Sequence, residues 1–392
     1  MAPRDASTGP ALPEVIPPPP GSRWRWVPLL VIGLVVLELA SRVEDRIVYG
    51  MPLLSRVQSS NQLVLRDSLG ARGRPNATFR RWHLDSLGFR GPNIPIAAPT
   101  GTIRIVTTGA SETFGLYESV DREYPRQLED SLRARVAQAC GAEAPDVEVV
   151  NAALPGMALP SLDGHLRARV AVMHPSILVI YPSPAFYLND RAPAPARPSD
   201  NDTTLAVTRA LVPRFPDRLV TQVKALAPEW VMTLVRERAI ASTASKFVPG
   251  WRFTAVPEDR VQQFDSDLRR VIGTVRAMGA TPVLMGYVNR TMSPGFDDEA
   301  LLVSWEYQFP RAEREVIPAF HARAAKSITD VARDSSVAYV DLARAFDGRW
   351  QGAFADFVHF TDAGAATVAS ALSEALAPHG HGSACTLSPT ER

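Results

Sequence analysis

The chain has 392 residues, of which 46% are hydrophobic and 21% charged, and this is ample apolar material for a large folded core. Lysine and arginine together number 42 and aspartate and glutamate 41, so the formal net charge at pH 7 is +1. This balance gives no indication of a nucleic-acid partner, which would favour a strongly basic surface.

The first segment of the chain is rich in proline, alanine and glycine, and residues 17–20 are four consecutive prolines. Such a composition cannot bury enough apolar surface to form a core. It predicts a disordered or polyproline tail over residues 1–22.

An apolar run follows at 27–37, preceded by alternating arginines and tryptophans at 23–26. Tryptophan and arginine are typical of the membrane interface. Residues 24–40 make a stretch of about 17 residues, at the short end of what a membrane helix needs. Cleavage as a signal peptide is disfavoured, because Glu38 stands where the cleavage site requires a small neutral residue. The sequence therefore predicts an uncleaved transmembrane anchor over 23–42, with a buried core helix as the alternative.

The next part of the chain lacks long periodic segments and carries turn signals at Gly70, at 73–75 and at Gly91. Residues 43–100 are therefore predicted to be a connecting region.

Beyond this region, β-branched runs alternate with segments of helical periodicity. The runs predict strands at 103–107, 147–151, 175–181, 281–286 and 337–342. The other segments predict helices at 124–139, 162–172, 259–278, 313–333 and 363–377. Strands that alternate with helices indicate a parallel sheet covered on both faces, which is a three-layer α/β/α fold.

One long stretch interrupts this alternation. It includes a proline-rich loop at 192–198 and an amphipathic segment at 219–245. Because it is too long for an ordinary connection in a compact domain, it predicts a helical insertion at about 185–257, which is a candidate lid.

A serine stands at the end of the first strand of this region. The strand stops at Gly109 and Ala110, Ser111 follows at once, and a helical pattern resumes after Gly115. In open α/β sheets the carboxyl ends of the strands carry the ligands, and a helix start favours developing negative charge. Ser111 is therefore a candidate nucleophile.

A serine nucleophile needs a base, and the base needs a carboxylate that fixes its tautomer. Far downstream, Asp356 and His359 are three residues apart, just before the last helix. In a doubly wound sheet the loop that carries them can meet Ser111 at the carboxyl edge. The alternative is an ordinary surface pair in front of a helix that Thr361 or Asp362 caps.

These motifs, taken in order, resemble those of the SGNH (GDSL-type) hydrolases. The first block matches as Gly109-Ala110-Ser111-x-x-x-Gly115 and the last as Asp356-x-x-His359. The segment 85–92 is similar to the lead-in of membrane-attached members, and the likeness covers about residues 80–375. The resemblance implies a flavodoxin-like catalytic domain over 101–380, followed by a C-terminal tail over 381–392.

The resemblance also implies the roles of the site residues. Ser111, His359 and Asp356 would be the catalytic residues, and the backbone N–H groups of Ser111 and Gly156 would bind the oxyanion. The family has a third donor, an asparagine in a Gly-x-Asn block, but here Ser183 stands for the glycine and Ala185 for the asparagine. Loss of one such donor raises the barrier by roughly 3 kcal/mol. Two asparagines lie nearby, Asn151 and Asn189.

Other polar residues are given structural interpretations. Cys140 and Cys385 are too few and too far apart for a zinc site, and they form either one disulfide or two free thiols. His83 and His165 are predicted to be surface residues. Glu112, beside the serine, is predicted to be a solvated or helix-start residue. The sequence predicts neither a metal site nor a cofactor.

The sequence thus predicts a membrane-anchored serine esterase or O-acyltransferase of SGNH type, acting on an ester. An acyl group of a cell-envelope glycan is the candidate substrate, and family habit places the catalytic domain outside the cytoplasm. The alternative from another class is a non-catalytic SGNH-like domain that binds a glycan or assembles an envelope complex. A third interpretation is an anchored α/β domain with an unrelated function. The oligomeric state stays open.

Overall fold

A computed structural model describes residues 26–55, 60–67, 70–189, 227–245 and 250–390 of the chain. The chain divides into two compact units, Met1–Leu53 and Leu54–Arg392. The tail predicted over 1–22 lies outside the described residues, and so does most of the insertion predicted at about 185–257.

The described part of the first unit, residues 26–53, contains one α-helix, α1 (Val27–Tyr49). It ends at Gly50, whose φ of 67° lets its N–H turn back and donate to the carbonyl of Arg46 at 3.1 Å. Its apolar run stops at an ion pair between Glu38 and Arg42, whose atoms are 2.6 Å apart. Among the described residues, no helix has the length and apolar character to cross a membrane. The anchor predicted over 23–42 is therefore not confirmed.

The second unit begins with two short antiparallel strand pairs, in the region predicted to be a connection. These are β1 (Val64–Asp67) with β2 (Gly70–Gly73), and β3 (Thr78–Phe79) with β4 (Trp82–His83). Gly73 and Gly88 touch backbone to backbone, since a Cβ on Gly73 would lie 1.8 Å from the carbonyl oxygen of Gly88. Glycine is therefore required where these two segments cross.

A five-stranded parallel sheet forms the centre of the second unit. Its strands are β5 (Thr102–Thr108), β6 (Asp146–Asn151), β7 (Ile177–Ile180), β8 (Thr281–Met285) and β9 (Ala338–Val340). They lie in the order β6-β5-β7-β8-β9, which is the flavodoxin-like order. Each strand lies where the sequence predicts one, and the prediction of a parallel sheet is confirmed. The continuous apolar run of β7 fits its central place, because both of its faces are covered.

The described helices of the second unit are α2 (Ser111–Phe114), α3 (Tyr124–Cys140), α4 (Leu159–His165), α5 (Glu229–Ala244), α6 (Glu258–Ala277), α7 (Glu299–Gln308), α8 (Val316–Asp334), α9 (Leu342–Ala345) and α10 (Asp362–Ala375). Two groups of these helices flank the sheet. Helix α3 packs on α10, whereas α6 packs on α4 and α8. Since β6 lies on one side of β5 and β7 on the other, right-handed crossovers put these groups on opposite faces. The result is the three-layer arrangement that the sequence predicts.

Two helical segments differ from the prediction. The segment predicted to be a helix at 162–172 is α-helical only to the end of α4. It continues as a π-helix over Leu166–Val170 and as a 3-10 helix over Ala171–Met173. Helix α7 has no counterpart in the prediction. Its start is fixed by Asp298, whose carboxylate accepts the N–H of Leu301 at 2.9 Å.

The last strands, β10 (Leu376–His379) and β11 (Thr386–Pro389), form a hairpin beside α3. Cys140 at the end of α3 and Cys385 next to β11 are joined by a disulfide across 245 residues. Of the two alternatives left open by the sequence, the structure has the disulfide. This bond fastens the C-terminal hairpin to the helical layer.

Candidate active site

The candidate nucleophile lies at the tight turn between β5 and α2. Gly109 is required there, because a Cβ would lie 2.4 Å from the Thr113 hydroxyl oxygen and 3.0 Å from the Tyr181 carbonyl oxygen. The turn ends the strand at once, and Ser111 becomes the first residue of α2. Its hydroxyl is thereby placed at the carboxyl edge of the sheet, as the sequence predicts.

The candidate base and carboxylate share one short loop before α10. One carboxylate oxygen of Asp356 accepts the backbone N–H groups of Val358 at 3.0 Å and His359 at 2.9 Å. The other oxygen is 2.7 Å from His359 Nδ1. Thr361 then caps α10 by accepting the N–H of Gly364 at 3.2 Å. The loop therefore holds the carboxylate by its own backbone and needs no other element to orient it.

The two ends of the domain meet at this edge. His359 Nε2 lies 2.8 Å from Ser111 Oγ, which is a normal hydrogen-bond distance for a general base and its nucleophile. For Nε2 to accept the serine proton, Nδ1 must carry the ring hydrogen and donate it to Asp356. The structure thus brings all three predicted residues into one hydrogen-bonded chain.

Electrostatic interactions among the three hydrogen-bonded residues shift the pKa values of His359 and Asp356 in opposite directions. Burial lowers the pKa of His359, but the hydrogen bond and negative charge of Asp356, helped by Glu112 and Glu118, raise the pKa above its usual value. Burial raises the pKa of Asp356, yet its hydrogen bonds with His359 bring it below its usual value. Asp356 is therefore an anion that strengthens His359 as a base.

Tyr117 covers the base and was not singled out from the sequence. Its ring centroid is 5.3 Å from that of His359. Burial and the Asp356 charge raise the pKa of Tyr117, so the phenol is neutral. With 48% of its surface exposed, Tyr117 forms part of the rim of the site.

The loop after β6 carries the predicted backbone donor. Leu154 donates its N–H to the Gly109 carbonyl at 3.4 Å, which places this loop beside the nucleophile turn. Gly156 follows in an exposed turn with a φ of 79°, a left-handed conformation that favours glycine.

Of the nearby asparagines, Asn151 does not stand in for the missing side-chain donor, because its amide is already hydrogen-bonded. Asn151 is buried and donates its amide to the Thr113 carbonyl at 3.0 Å, while its oxygen accepts the Ala153 N–H at 3.2 Å. Asn151, the last residue of β6, thereby links this strand to α2. Asn189 ends the single turn of 3-10 helix Ala185–Leu188, where its backbone N–H donates to Phe186. Ala185 itself is buried at the start of that turn.

Glu112 lies in the first turn of α2, as the helix-start alternative of the prediction has it, but it is not solvated. It is only 2% exposed, and the Ser183 hydroxyl donates to one of its oxygens at 2.8 Å. Its other oxygen is 3.4 Å from Ser111 Oγ. The side chain points inward because Ser183, on the loop after β7, provides a buried partner for it.

His165 also differs from the prediction, whereas His83 is exposed as expected. His165 is 2% exposed, and its Nε2 lies 3.1 Å from the carbonyl of Ala152. Burial lowers its pKa to about 4, so the ring is neutral at pH 7 and donates to that carbonyl. It is a core histidine that is held through Nε2, and its Nδ1 has no hydrogen-bond partner among the described residues.

No model of a known protein family matches the chain, and no curated protein matches it. Several solved structures are similar to it at low identity. Axe2, an acetylxylan esterase from Geobacillus stearothermophilus, is 12% identical with a TM-score of 0.39, over 69% of this chain and 92% of that one. The acetyl xylan esterase AlAXEase is 12% identical with a TM-score of 0.41, over 70% and 99%. TesA is 14% identical with a TM-score of 0.37, over 69% and 95%.

Proposed function

We propose that this protein is a serine esterase or O-acyltransferase of SGNH type, with Ser111 as nucleophile, His359 as base and Asp356 as the carboxylate that orients it. The observation that supports this most is the unbroken chain from Ser111 Oγ through His359 to Asp356, with contacts of 2.8 and 2.7 Å. Nucleophile, base and orienting group are thus within hydrogen-bond reach of one another, as covalent catalysis requires.

In the acylation step, Ser111 Oγ attacks the ester carbonyl carbon while His359 Nε2 takes the hydroxyl proton. The carbonyl oxygen becomes an oxyanion, to which the N–H groups of Ser111 and Gly156 donate. The C–O bond to the alcohol then breaks, and the imidazolium returns its proton to the departing alcohol oxygen. The product is an acyl ester on Ser111.

In the second step, the incoming oxygen comes from water or from an acceptor alcohol. His359 removes its proton as it attacks the acyl carbon, and Ser111 leaves with that proton. Water gives a carboxylic acid, which is hydrolysis, and an alcohol gives a new ester, which is transfer.

The alternative function, a non-catalytic SGNH-like domain that binds a glycan or assembles an envelope complex (the binding-module alternative), depends on one observation. Position 185 is an alanine, whereas the resemblance requires an asparagine there. Without a side-chain donor, the oxyanion would have two backbone donors. This slows an enzyme but does not remove the nucleophile or the base.

A fluorophosphonate probe, which phosphonylates activated serines, tests the proposal on the folded protein. Wild type should gain one phosphonyl group on Ser111, found by peptide mass spectrometry, and Ser111→Ala should gain none. Ser119→Ala, a change at an exposed serine nearby, is the control and should label like wild type. Absence of labelling in folded wild type would favour the binding-module alternative.

For the substrate, we propose an O-acylated glycan of the cell envelope, which the sequence resemblance implies. Incubation of the enzyme with acetylated and chemically deacetylated envelope glycan should release acetate from the first alone. Release from simple aryl esters but from no glycan would remove the glycan part of the proposal.

We propose further that the second unit resides outside the reducing cytoplasm. The support is the disulfide between Cys140 and Cys385, since such bonds persist in oxidising compartments. Peptide mapping without reductant, on protein from its native compartment, should recover the two cysteines in one linked peptide pair. Two free thiols would contradict this location.

A further inference from the structure

A buried carboxylate, that of Glu112, lies 3.4 Å from the oxygen of the candidate nucleophile Ser111. Glu112 is 2% exposed, and among the described residues no lysine or arginine forms an ion pair with it. A buried charge without a cation is costly, so such a group calls for a compensating interaction. The one positive charge that the proposed reaction creates nearby is the imidazolium of His359.

The contacts of Glu112 fix its position relative to the reacting atoms. Ser183 Oγ, itself buried, donates to Oε1 at 2.8 Å, and this leaves Oε2 3.4 Å from Ser111 Oγ. The serine has a single hydroxyl hydrogen, and the shorter contact, 2.8 Å, is to His359. The Ser111 oxygen therefore lies between a base and a carboxylate.

We propose that Glu112 is a positioning residue for this reaction, held by Ser183 so that its charge stabilises the imidazolium that forms on His359 when Ser111 attacks. This inference rests on the proposed function. During acylation the proton moves from Ser111 to His359. The new positive charge then has the Asp356 carboxylate at Nδ1 and the Glu112 carboxylate next to Ser111 Oγ. Stabilising that charge makes His359 a stronger base.

The other titratable groups around the pair come from several elements. His359 faces Asp356 on its own loop and Tyr117 and Glu118 on the loop after α2. The charge of Glu112 acts on Tyr124 of α3, Tyr181 after β7 and Tyr287 after β8. The pKa of His359 is raised by Asp356 first and by Glu112 after it. Removal of Glu112 should therefore shift the titration of His359 without abolishing it.

The test is the pH profile of kcat/KM for an aryl ester in Glu112→Gln, which keeps the shape of the side chain and an oxygen for Ser183. Loss of a charge that raises the His359 pKa lowers that pKa, so the neutral base persists to lower pH. The acid limb, which is the fall of kcat/KM at low pH, should move down by about 0.5 to 1 pH unit. The plateau value of kcat/KM should fall about 3- to 10-fold. The rate of fluorophosphonate labelling should show the same displacement.

Two further variants separate this role from a structural one. Asp121→Asn removes an exposed carboxylate nearby and should leave the acid limb unchanged. Ser183→Ala keeps the Glu112 charge but releases it from its position, and should move the limb down by less than Glu112→Gln does. Thermal unfolding checks that each variant is folded. If Glu112→Gln does not fold, Ser183→Ala decides the question alone.

Superimposable acid limbs in wild type and the folded variants would overturn the inference and leave the proposed function standing. A wild type that neither cleaves the ester nor takes the probe would remove the proposed function, and the inference with it.

Discussion

The two halves of the site are built differently. On the base side, Asp356, His359 and Ser111 form an unbroken hydrogen-bonded chain, and Tyr117 packs over it. On the oxyanion side, Ala185 occupies the place where the family resemblance requires an asparagine. In the enzyme that we propose, the base side would depend on side chains, whereas the oxyanion side would depend on backbone N–H groups.

This difference has a physical consequence for the rate. A backbone donor is fixed by the fold and costs no side-chain ordering, so two of them would still make a usable oxyanion hole in the proposed enzyme. The missing third donor corresponds to roughly 3 kcal/mol of barrier, or about two orders of magnitude. A protein built in this way would be an enzyme whose base is complete and whose turnover is limited by stabilisation of the oxyanion.

The largest effect is expected from loss of the base. His359→Ala leaves Ser111 without a proton acceptor, so ester turnover should fall about 10⁴- to 10⁶-fold. The measurement is kcat/KM on an aryl ester, with His83→Ala, an exposed histidine, as the control. Because the three residues act as a unit, Ser111→Ala combined with His359→Ala should lose little more than either alone. Additive losses would show that the base side is not one functional unit.

The next effect is expected from Asp356→Asn, which keeps the size of the side chain. The amide removes the negative charge that supports the imidazolium and can favour the wrong histidine tautomer, so kcat should fall about 10³- to 10⁴-fold. Asp347→Asn, an exposed aspartate on another loop, is the matched control. A loss below tenfold with an unchanged melting temperature would contradict the role given to Asp356.

The base side is also the part that the sequence predicts best. The central strand β7 is a continuous aliphatic run, because a strand covered on both faces must be apolar, and the other strands of the parallel sheet are rich in β-branched and aliphatic residues. Small residues before Ser111 signal the turn, and Asp356 and His359 are close enough in sequence to meet on one loop. Local sequence therefore suffices for these elements, and chain order then brings the two ends together.

Contacts between distant segments could not be predicted in this way. A carboxylate in a first helical turn has the same sequence signal whether it faces solvent or the core. The burial of Glu112 depends on Ser183, 71 residues downstream. His165 is likewise buried because the Ala152 carbonyl lies opposite its ring. Tyr117 contacts His359, which lies far from it in the sequence, and the periodicity of neither segment predicts that contact.

The oxyanion side can be tested by restoring the absent donor. If a third donor is what limits turnover, Ala185→Asn should raise kcat about 10- to 100-fold, as expected for one added hydrogen bond to the oxyanion. Ala134→Asn, the same change on the exposed face of α3, is the control and should leave kcat unchanged. Because Ala185 is buried, thermal unfolding must show that the variant is folded. An unchanged kcat in a folded variant would mean that another group already fills the third place.

The smallest effect is expected from the residue that covers the base. Tyr117→Phe keeps the ring over His359 and removes a hydroxyl whose pKa is raised by burial and by the Asp356 charge. Asp356 keeps its two backbone donors and its bond to His359, so kcat should fall only about 2- to 10-fold. KM should stay within about twofold if the hydroxyl serves the base rather than the substrate. Tyr339→Phe, which removes a hydroxyl at the edge strand β9, is the matched control. A rise in KM with kcat unchanged would indicate that Tyr117 helps to bind the ester and does not support His359 as a base.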